Sequence, residues 1–175
     1  MTEELVTNEN ETAEEIEKPA NLLQFLSFTL GKEEYAVDIL RVQEIRSWEP
    51  VSRIPNVPAY EKGVVNLRGA IVPIIDLRER FGLSHVDYSP LTVVVVLQAH
   101  ITGRTRVMGV VVDAVSDVVD IDKKGIQSSP NFGAKVSTEF INGLASVNGR
   151  MVMLLDVDKL LTLEDMEKEN ESNEI

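Results

Sequence analysis

Residues 63–76 read GVVNLRGAIVPIID, and residues 143–156 read GLASVNGRMVMLLD, so the two stretches align without a gap. Both glycines, one valine and the final aspartate coincide, and nearly every other apolar position stays apolar. In the second copy the strands flank Asn148-Gly149, a dipeptide typical of a two-residue hairpin turn. The two stretches therefore predict the same β-hairpin, placed twice in one chain.

A second, weaker repeat lies outside the hairpins. Residues 36–45 (AVDILRVQEI) align with residues 109–118 (GVVVDAVSDV), which predicts two related β units of roughly 65 residues each. Strands of this length and spacing favour small closed barrels over open sheets, because closure removes exposed strand edges. Further strand signals occur at residues 22–30, 34–39, 92–97, 107–112 and 117–121.

Helical signals are few. Residues 40–46 fit either a helical turn or a bent strand, and residues 77–81 fit one helical turn. Residues 158–169 have one apolar side and predict a proper C-terminal helix. Asp76 and Asp156 precede helical turns at equivalent repeat positions, so we interpret them as N-caps in preference to a catalytic pair of carboxylates. The predicted fold class is all-β with a C-terminal helix.

The charge of the chain is concentrated at its ends. The first twenty residues hold seven glutamates and one lysine, and the last twelve hold six acidic residues and one lysine. The body between them is nearly neutral. We expect an acidic, disordered tail at residues 1–20, one domain made of two β-barrel subdomains at residues 21–165, and an acidic tail at residues 166–175.

Composition argues against several classes of function. A formal net charge of −12 disfavours binding to nucleic acid or anionic lipid, which both attract basic surfaces. Cysteine is absent, which excludes disulfides and thiolate chemistry, and no apolar run reaches the roughly 18 residues of a membrane span. No hydrolase, P-loop, dinucleotide-binding or zinc-protease motif is present. We predict a cytoplasmic protein that is not an enzyme, needs no cofactor or metal, and acts through its surfaces without inserting into a membrane.

Arg68 distinguishes the first hairpin from its copy. It takes the turn position that Asn148 holds in the second hairpin, and arginine adopts the required positive φ less easily than asparagine. One reading is a shifted turn with a solvated arginine, and the other is an arginine presented to an acidic or planar partner group. Glu44 is likewise either a solvated charge or the partner of Arg41, Arg68 or a cation on another protein. Asn66 is expected to support the turn through its side chain.

Six segments, read in order, carry a family resemblance. They are residues 24–31 (QFLSFTLG), 34–40 (EYAVDIL), 42–46 (VQEIR), 62–69 (KGVVNLRG), 72–77 (VPIIDL) and 109–113 (GVVVD). The Asn-Leu-Arg-Gly turn with its flanking strands is the specific part, since valine-rich strands alone are common. From about residue 22 to residue 165, the chain resembles the CheW-like family of chemotaxis coupling proteins.

The resemblance implies two SH3-like five-stranded β-barrels packed side by side, and an adaptor without catalysis. Such an adaptor couples the cytoplasmic tips of methyl-accepting chemoreceptors to the regulatory domain of the histidine kinase CheA, and supports assembly of the membrane-associated receptor array. The resemblance implies a receptor-binding face in the groove between the barrels, at Val42, Glu44, Asn66, Arg68 and Gly69. It implies a kinase-binding face at Leu26, Val37 and Ile39, which are also candidates for the core.

Two alternatives stay open from the sequence. One is a CheW-like adaptor of a non-flagellar, pilus-type signalling pathway, which the residues do not separate from motility chemotaxis. The other is a small-ligand-binding β-barrel domain. The missing histidine, cysteine and glycine-loop chemistry argues against this second alternative.

Overall fold

The structure, a computed structural model, describes residues 21–83, 87–128 and 138–162. Both predicted acidic tails, and the part of the predicted C-terminal helix beyond residue 162, lie outside these ranges. Strands dominate the described residues. They are β1 (Leu22–Leu30), β2 (Glu33–Asp38), β3 (Val42–Ser47), β4 (Glu61–Leu67), β5 (Ala70–Asp76), β6 (Val93–Ile101), β7 (Arg104–Val112), β8 (Ala114–Asp122), β9 (Ile141–Val147) and β10 (Arg150–Leu155).

The helices in the described ranges are short. A single turn, α1 (Leu77–Arg80), follows β5, and residues 157–162 form the described part of a helix, α2, after β10. Neither is long and apolar enough to cross a membrane. Three further turns are 3-10 helices, at Ile39–Arg41, Lys123–Gly125 and Thr138–Phe140.

Aspartates cap both helices. Asp76 Oδ1 accepts hydrogen bonds from the backbone nitrogens of Arg78 (3.0 Å) and Glu79 (3.4 Å) at the start of α1. Asp156 Oδ1 accepts one from the backbone nitrogen of Lys159 (3.0 Å) in α2. These bonds satisfy nitrogens that have no acceptor inside the helix, so the N-cap interpretation of both aspartates is confirmed.

The strands form two five-stranded sheets, which confirms the predicted fold class. Sheet 1 has the order β8-β1-β2-β10-β9, and sheet 2 has the order β3-β6-β7-β5-β4. Each sheet contains one parallel pair, β2 with β10 in sheet 1 and β7 with β5 in sheet 2. The two parallel pairs occupy the same place in the two orders, as expected when a chain repeats itself.

The two sequence units are interleaved, so neither unit forms a sheet by itself. Strands β1 and β2 join β8, β9 and β10 in sheet 1, whereas β3 to β7 form sheet 2. The chain crosses between the sheets at Ile39–Arg41 and again at Asp113. A parallel pair needs strands that are distant along the chain, because a tight hairpin joins only antiparallel neighbours. Each sheet therefore combines two strands from one half of the chain with three from the other.

The repeated hairpins have the same turn. Leu67 pairs with Ala70 in the first hairpin, and the two residues between them, Arg68 and Gly69, have φ angles of 50° and 88°. In the second hairpin, Asn148 and Gly149 have φ angles of 51° and 78°. Two successive positive φ angles define the type I′ turn that follows the twist of the strands. The shifted turn considered for Arg68 is therefore wrong, whereas the solvent exposure expected with it is observed.

Three apolar clusters fill the interior. The largest is shared by the two sheets and includes Tyr35 from sheet 1, Val95 from sheet 2 and Leu160 from α2. Each sheet also has a smaller cluster of its own, around Phe25 in sheet 1 and Val94 in sheet 2. Successive side chains of a strand point to opposite faces, so neighbouring valines of β6 enter different clusters. Each sheet thus packs on a core of its own and on a core shared with its neighbour, as two small barrels lying side by side require.

Candidate protein-interaction site

The β4–β5 hairpin presents an arginine at its tip. Asn66 Oδ1 accepts a hydrogen bond from the backbone nitrogen of Gly69 (2.9 Å), so the expected support of the turn by Asn66 is confirmed. A left-handed backbone costs a residue with a side chain about 1–2 kcal/mol, and Arg68 adopts it with 79% of its side chain exposed. The turn therefore presents the charged Arg68 side chain to solvent, although its left-handed backbone costs conformational free energy.

A carboxylate faces this arginine from another strand. Glu44 lies on β3, and its Oε2 is 3.1 Å from Arg68 Nη2. The other oxygen, Oε1, is 3.6 Å from Nε of Arg46, two residues further along β3. Of the partners considered for Glu44 from the sequence, Arg68 is confirmed, whereas Arg41 pairs with Asp158. The carboxylate is half-buried between two guanidinium groups, so its position is defined on both sides.

Val42 lies at the start of the same strand. The pairing of β3 with β6 shifts register between Val42, opposite Leu97, and Glu44, opposite Val96. The extra residue is Gln43, which makes a β-bulge, and a bulge re-aims the side chains around it. Val42 is half-buried against the shared core. The ambiguous segment 40–46 is thus the end of a 3-10 turn followed by a bulged strand.

Two exposed isoleucines that sequence reasoning missed lie on the strands of this region. Ile71 lies on β5 directly opposite Asn66 and is 67% exposed, and Ile45 follows Glu44 on β3 and is also exposed. The signal that could have revealed Ile71 is its place beside Val72 in β5, since alternation turns one of two adjacent apolar residues outward. Exposed apolar side chains of this size are often part of protein interfaces.

The residues predicted for the kinase-binding face are placed differently. Leu26 and Val37 pair across β1 and β2, and both side chains are buried in the shared core. Their burial argues against a direct contact with a partner in this conformation. Ile39, in the turn that leads to sheet 2, is half-buried, and its neighbour Leu40 is 80% exposed. Leu40 was missed from the sequence, because its segment fitted two kinds of structure.

The site offers charged and apolar side chains for binding. In residues 21–83, 87–128 and 138–162, no three histidine, aspartate or glutamate side chains are arranged to hold a metal ion. Two tyrosines outside the Arg68 hairpin have raised pKa values. Burial raises the pKa of the Tyr35 hydroxyl to about 12. Burial, and then the hydrogen bond that the Tyr88 hydroxyl donates to Asp76 Oδ2 (2.7 Å), raise the pKa of Tyr88.

The body of the chain matches a known family. The CheW-like domain matches residues 24–165, which include the Arg68 hairpin and both sheets except the first two residues of β1. The chain belongs to the CheW-like domain family. The family resemblance predicted from the six sequence segments is therefore confirmed.

Named relatives agree with membership of the CheW-like family. The chemotaxis protein CheW of Klebsiella aerogenes is 50% identical over 143 residues, which cover 82% of this chain and 84% of that protein. The protein FrzA of Myxococcus xanthus is 29% identical over 140 residues, covering 79% of this chain and 84% of that protein. The crystal structure of the scaffolding protein TtCheW from Thermoanaerobacter tengcongensis has a TM-score of 0.70 and 31% identity, and the match covers 77% of this chain and 84% of that chain.

Proposed function

We propose that this CheW-like protein is a non-catalytic adaptor of bacterial chemotaxis. It couples the cytoplasmic tips of methyl-accepting chemoreceptors to the regulatory domain of the histidine kinase CheA, and it supports assembly of the receptor array. It acts in the cytoplasm and is recruited to the membrane by these partners, without cofactor, nucleic acid or membrane insertion of its own. Membership of the CheW-like family supports the class of function.

The observation that carries the proposal is the exposed ion pair of Arg68 and Glu44. An ion pair in contact with solvent contributes about 0–1 kcal/mol to folding, so it gives the fold little reason to hold Arg68 in a left-handed turn. The same pair on an interface can set the register of a partner and reject wrong partners. The arrangement is therefore better explained by binding than by stability.

The receptor-binding face comprises Val42, Glu44, Asn66, Arg68 and Gly69. A helical receptor tip would lay its apolar side on the exposed isoleucines, Ile45 and Ile71, which supply contact area. Glu44 and Arg68 would then pair with polar groups of the tip, and Asn66 and Gly69 keep the hairpin in shape. Apolar anchors give affinity and charges give selectivity, which suits a reversible adaptor.

The kinase-binding face centres on Ile39. Leu40 extends this face into solvent, whereas Leu26 and Val37 support it from the shared core without touching the partner. The two faces lie on either side of Arg41, so one short segment of chain connects them.

Calorimetry with the isolated regulatory domain of CheA and with a soluble cytoplasmic fragment of a chemoreceptor tests the proposal. We expect saturable binding to each. Arg68→Ala should weaken receptor binding alone, and Leu40→Asp should weaken kinase binding alone. Arg150→Ala, at the exposed start of β10 beside the equivalent turn of sheet 1, is the matched control and should change neither affinity.

The proposal is overturned if folded protein binds neither partner at two temperatures. Binding only to the kinase of a pilus-type pathway would contradict the assignment to motility chemotaxis, and would favour the non-flagellar adaptor. A thermal shift with a metabolite, together with no binding to either partner, would favour the small-ligand alternative.

A further inference from the structure

Two ion pairs with opposite charge order start from equivalent helix positions of the repeat. Residues 78 and 158 are both the second residue of the helix that follows a repeated hairpin, Arg78 in α1 and Asp158 in α2. Arg78 Nη1 is 2.5 Å from Oδ2 of Asp113, and Asp158 Oδ2 is 3.0 Å from Nη2 of Arg41. Asp113 and Arg41 lie at the two points where the chain crosses between the sheets. Each helix therefore holds one crossing by an ionic contact.

The two contacts differ in burial. The Arg78 side chain is only 7% exposed, and Asp113 Oδ2 accepts a second hydrogen bond from the backbone nitrogen of Gly31 (2.6 Å). This contact belongs to the interior. The side chains of Arg41 and Asp158 are 33% and 48% exposed, so their contact is in reach of water and salt. We therefore expect a change at the exposed pair to cost less stability than a change at Arg78.

Arg41 is directly connected to the Glu44 side of the proposed receptor face. It ends the 3-10 turn, Val42 follows as the first residue of β3, and the bulge at Gln43 then precedes Glu44. A bulge bends a strand and changes the direction in which its side chains point. Glu44 in turn meets Arg68. A shift of Arg41 would thus reach Glu44 through three residues of chain.

Asp158 is the partner whose position is fixed by the core. The helix α2 is capped by Asp156, and its Leu160 and Leu161 side chains are buried in the shared core. Asp158 Oδ1 is also shielded from water. With one partner fixed in the core and the other at the start of a bulged strand, the contact restrains the strand.

We propose that Arg41 and Asp158 are positioning residues for receptor binding, which hold the start of β3 so that Glu44 meets Arg68 and the receptor tip in register. The inference rests on the proposed receptor-binding role of Glu44 and Arg68. It assigns a role to two residues that lie outside the predicted receptor face.

Charge reversal tests the inference in the full chain. Arg41→Asp places two carboxylates in contact, and we expect it to weaken binding of a soluble chemoreceptor fragment by about three- to tenfold. The double variant Arg41→Asp/Asp158→Arg restores the attraction and should recover affinity to within about twofold. Lys159→Asp makes the same change in charge on the exposed side of α2 and should leave binding unchanged. If Arg41→Asp fails to fold, Asp158→Asn removes the contact without repulsion and should weaken binding in the same direction.

A second readout separates positioning from general stability. If Arg41 acts through Glu44, adding Arg41→Asp to a Glu44→Gln background should produce no further loss of receptor affinity. Additive losses, or a double reversal that does not recover affinity, would overturn the inference. If Arg41→Asp binds the receptor fragment with unchanged affinity while Arg68→Ala binds more weakly, the inference on Arg41 and Asp158 is overturned and the proposed receptor face is not. Unchanged affinity of both Arg68→Ala and Glu44→Gln would overturn the proposed receptor face as well.

Discussion

Arg68 and Glu44 form an ion pair of 3.1 Å across the two ends of one sheet. Glu44 lies on β3, at one edge of sheet 2, and Arg68 lies at the tip of the hairpin that contains β4, at the other edge. Val64, also on β4, donates its backbone N–H to the carbonyl of Ser52, which lies beyond β3 (3.0 Å). The sheet therefore curls until its ends are connected, and the ion pair adds a side-chain contact between the same two ends.

Removal of the Arg68 side chain should separate binding from folding. Because most of the side chain is in solvent, Arg68→Ala should change the melting temperature by less than about 5 °C. The same variant should weaken binding to a chemoreceptor fragment by roughly 1–3 kcal/mol, the range of an interface hot spot. Circular dichroism melting and calorimetry measure the two effects. A larger fall in melting temperature would make Arg68 a structural residue.

An exchange of turn residues should reveal a conflict between stability and binding. Arg68→Asn places in the first turn the residue that the second turn uses, and should raise the free energy of unfolding by about 0.5–1 kcal/mol while it weakens receptor binding. Asn148→Arg is the reverse change in sheet 1, and should lower stability by a similar amount with receptor binding intact. Urea unfolding of both variants measures the stability, and equal stabilities of all three proteins would contradict the argument.

The two equivalent ion pairs should differ strongly in their contribution to stability. Arg78→Ala removes a buried guanidinium and leaves the half-buried Asp113 carboxylate without it, and should lower the free energy of unfolding by about 1.5–3 kcal/mol. Arg41→Ala, at the exposed pair, should lower it by about 0–1 kcal/mol. Chemical denaturation compares them directly. Similar losses for the two variants would show that burial does not distinguish the pairs.

We expect the Tyr35 hydroxyl to destabilise the folded state. Its side chain is fully buried and its oxygen has no hydrogen-bond partner among the described residues, so Tyr35→Phe should stabilise the protein by about 1 kcal/mol at neutral pH. A stability equal to or below that of the parent protein at pH 7 would indicate that the hydroxyl has a partner.

The same tyrosine makes the stability depend on alkaline pH. Burial raises the pKa of Tyr35 from 10.0 to about 12, so the folded state keeps its proton at a pH where the unfolded state loses it. Ionisation of Tyr35 therefore does not affect the free energy of unfolding below pH 10, and it lowers this free energy as the pH rises from 10 towards 12. Between pH 9 and pH 11.5, the urea midpoint should fall less in Tyr35→Phe than in the parent protein. Tyr88 has a raised pKa as well, so Tyr35→Phe/Tyr88→Phe should show the smallest fall.

Local features were predictable because neighbouring residues decide them. The second hairpin turn follows from Asn148-Gly149, since glycine and asparagine tolerate positive φ, and the first turn follows from its equivalent place in the repeat. The N-caps follow from Asp76 and Asp156, whose short carboxylates reach the first free nitrogens of a helix. The Glu44–Arg68 pair was within the predicted possibilities, because both residues lie beside strands of one unit.

The sequence alone determined that this protein is built from short strands, that one hairpin occurs twice, and that Arg68 stands where an asparagine would be easier to accommodate. Only the tertiary structure decided how the strands are divided between the sheets, and which apolar residues face solvent. Leu26 and Leu40 are both leucines in apolar segments, yet one is buried and the other exposed. The physical reason is that burial and ion pairing depend on strands distant along the chain, as Arg41 and Asp158 show at a separation of 117 residues.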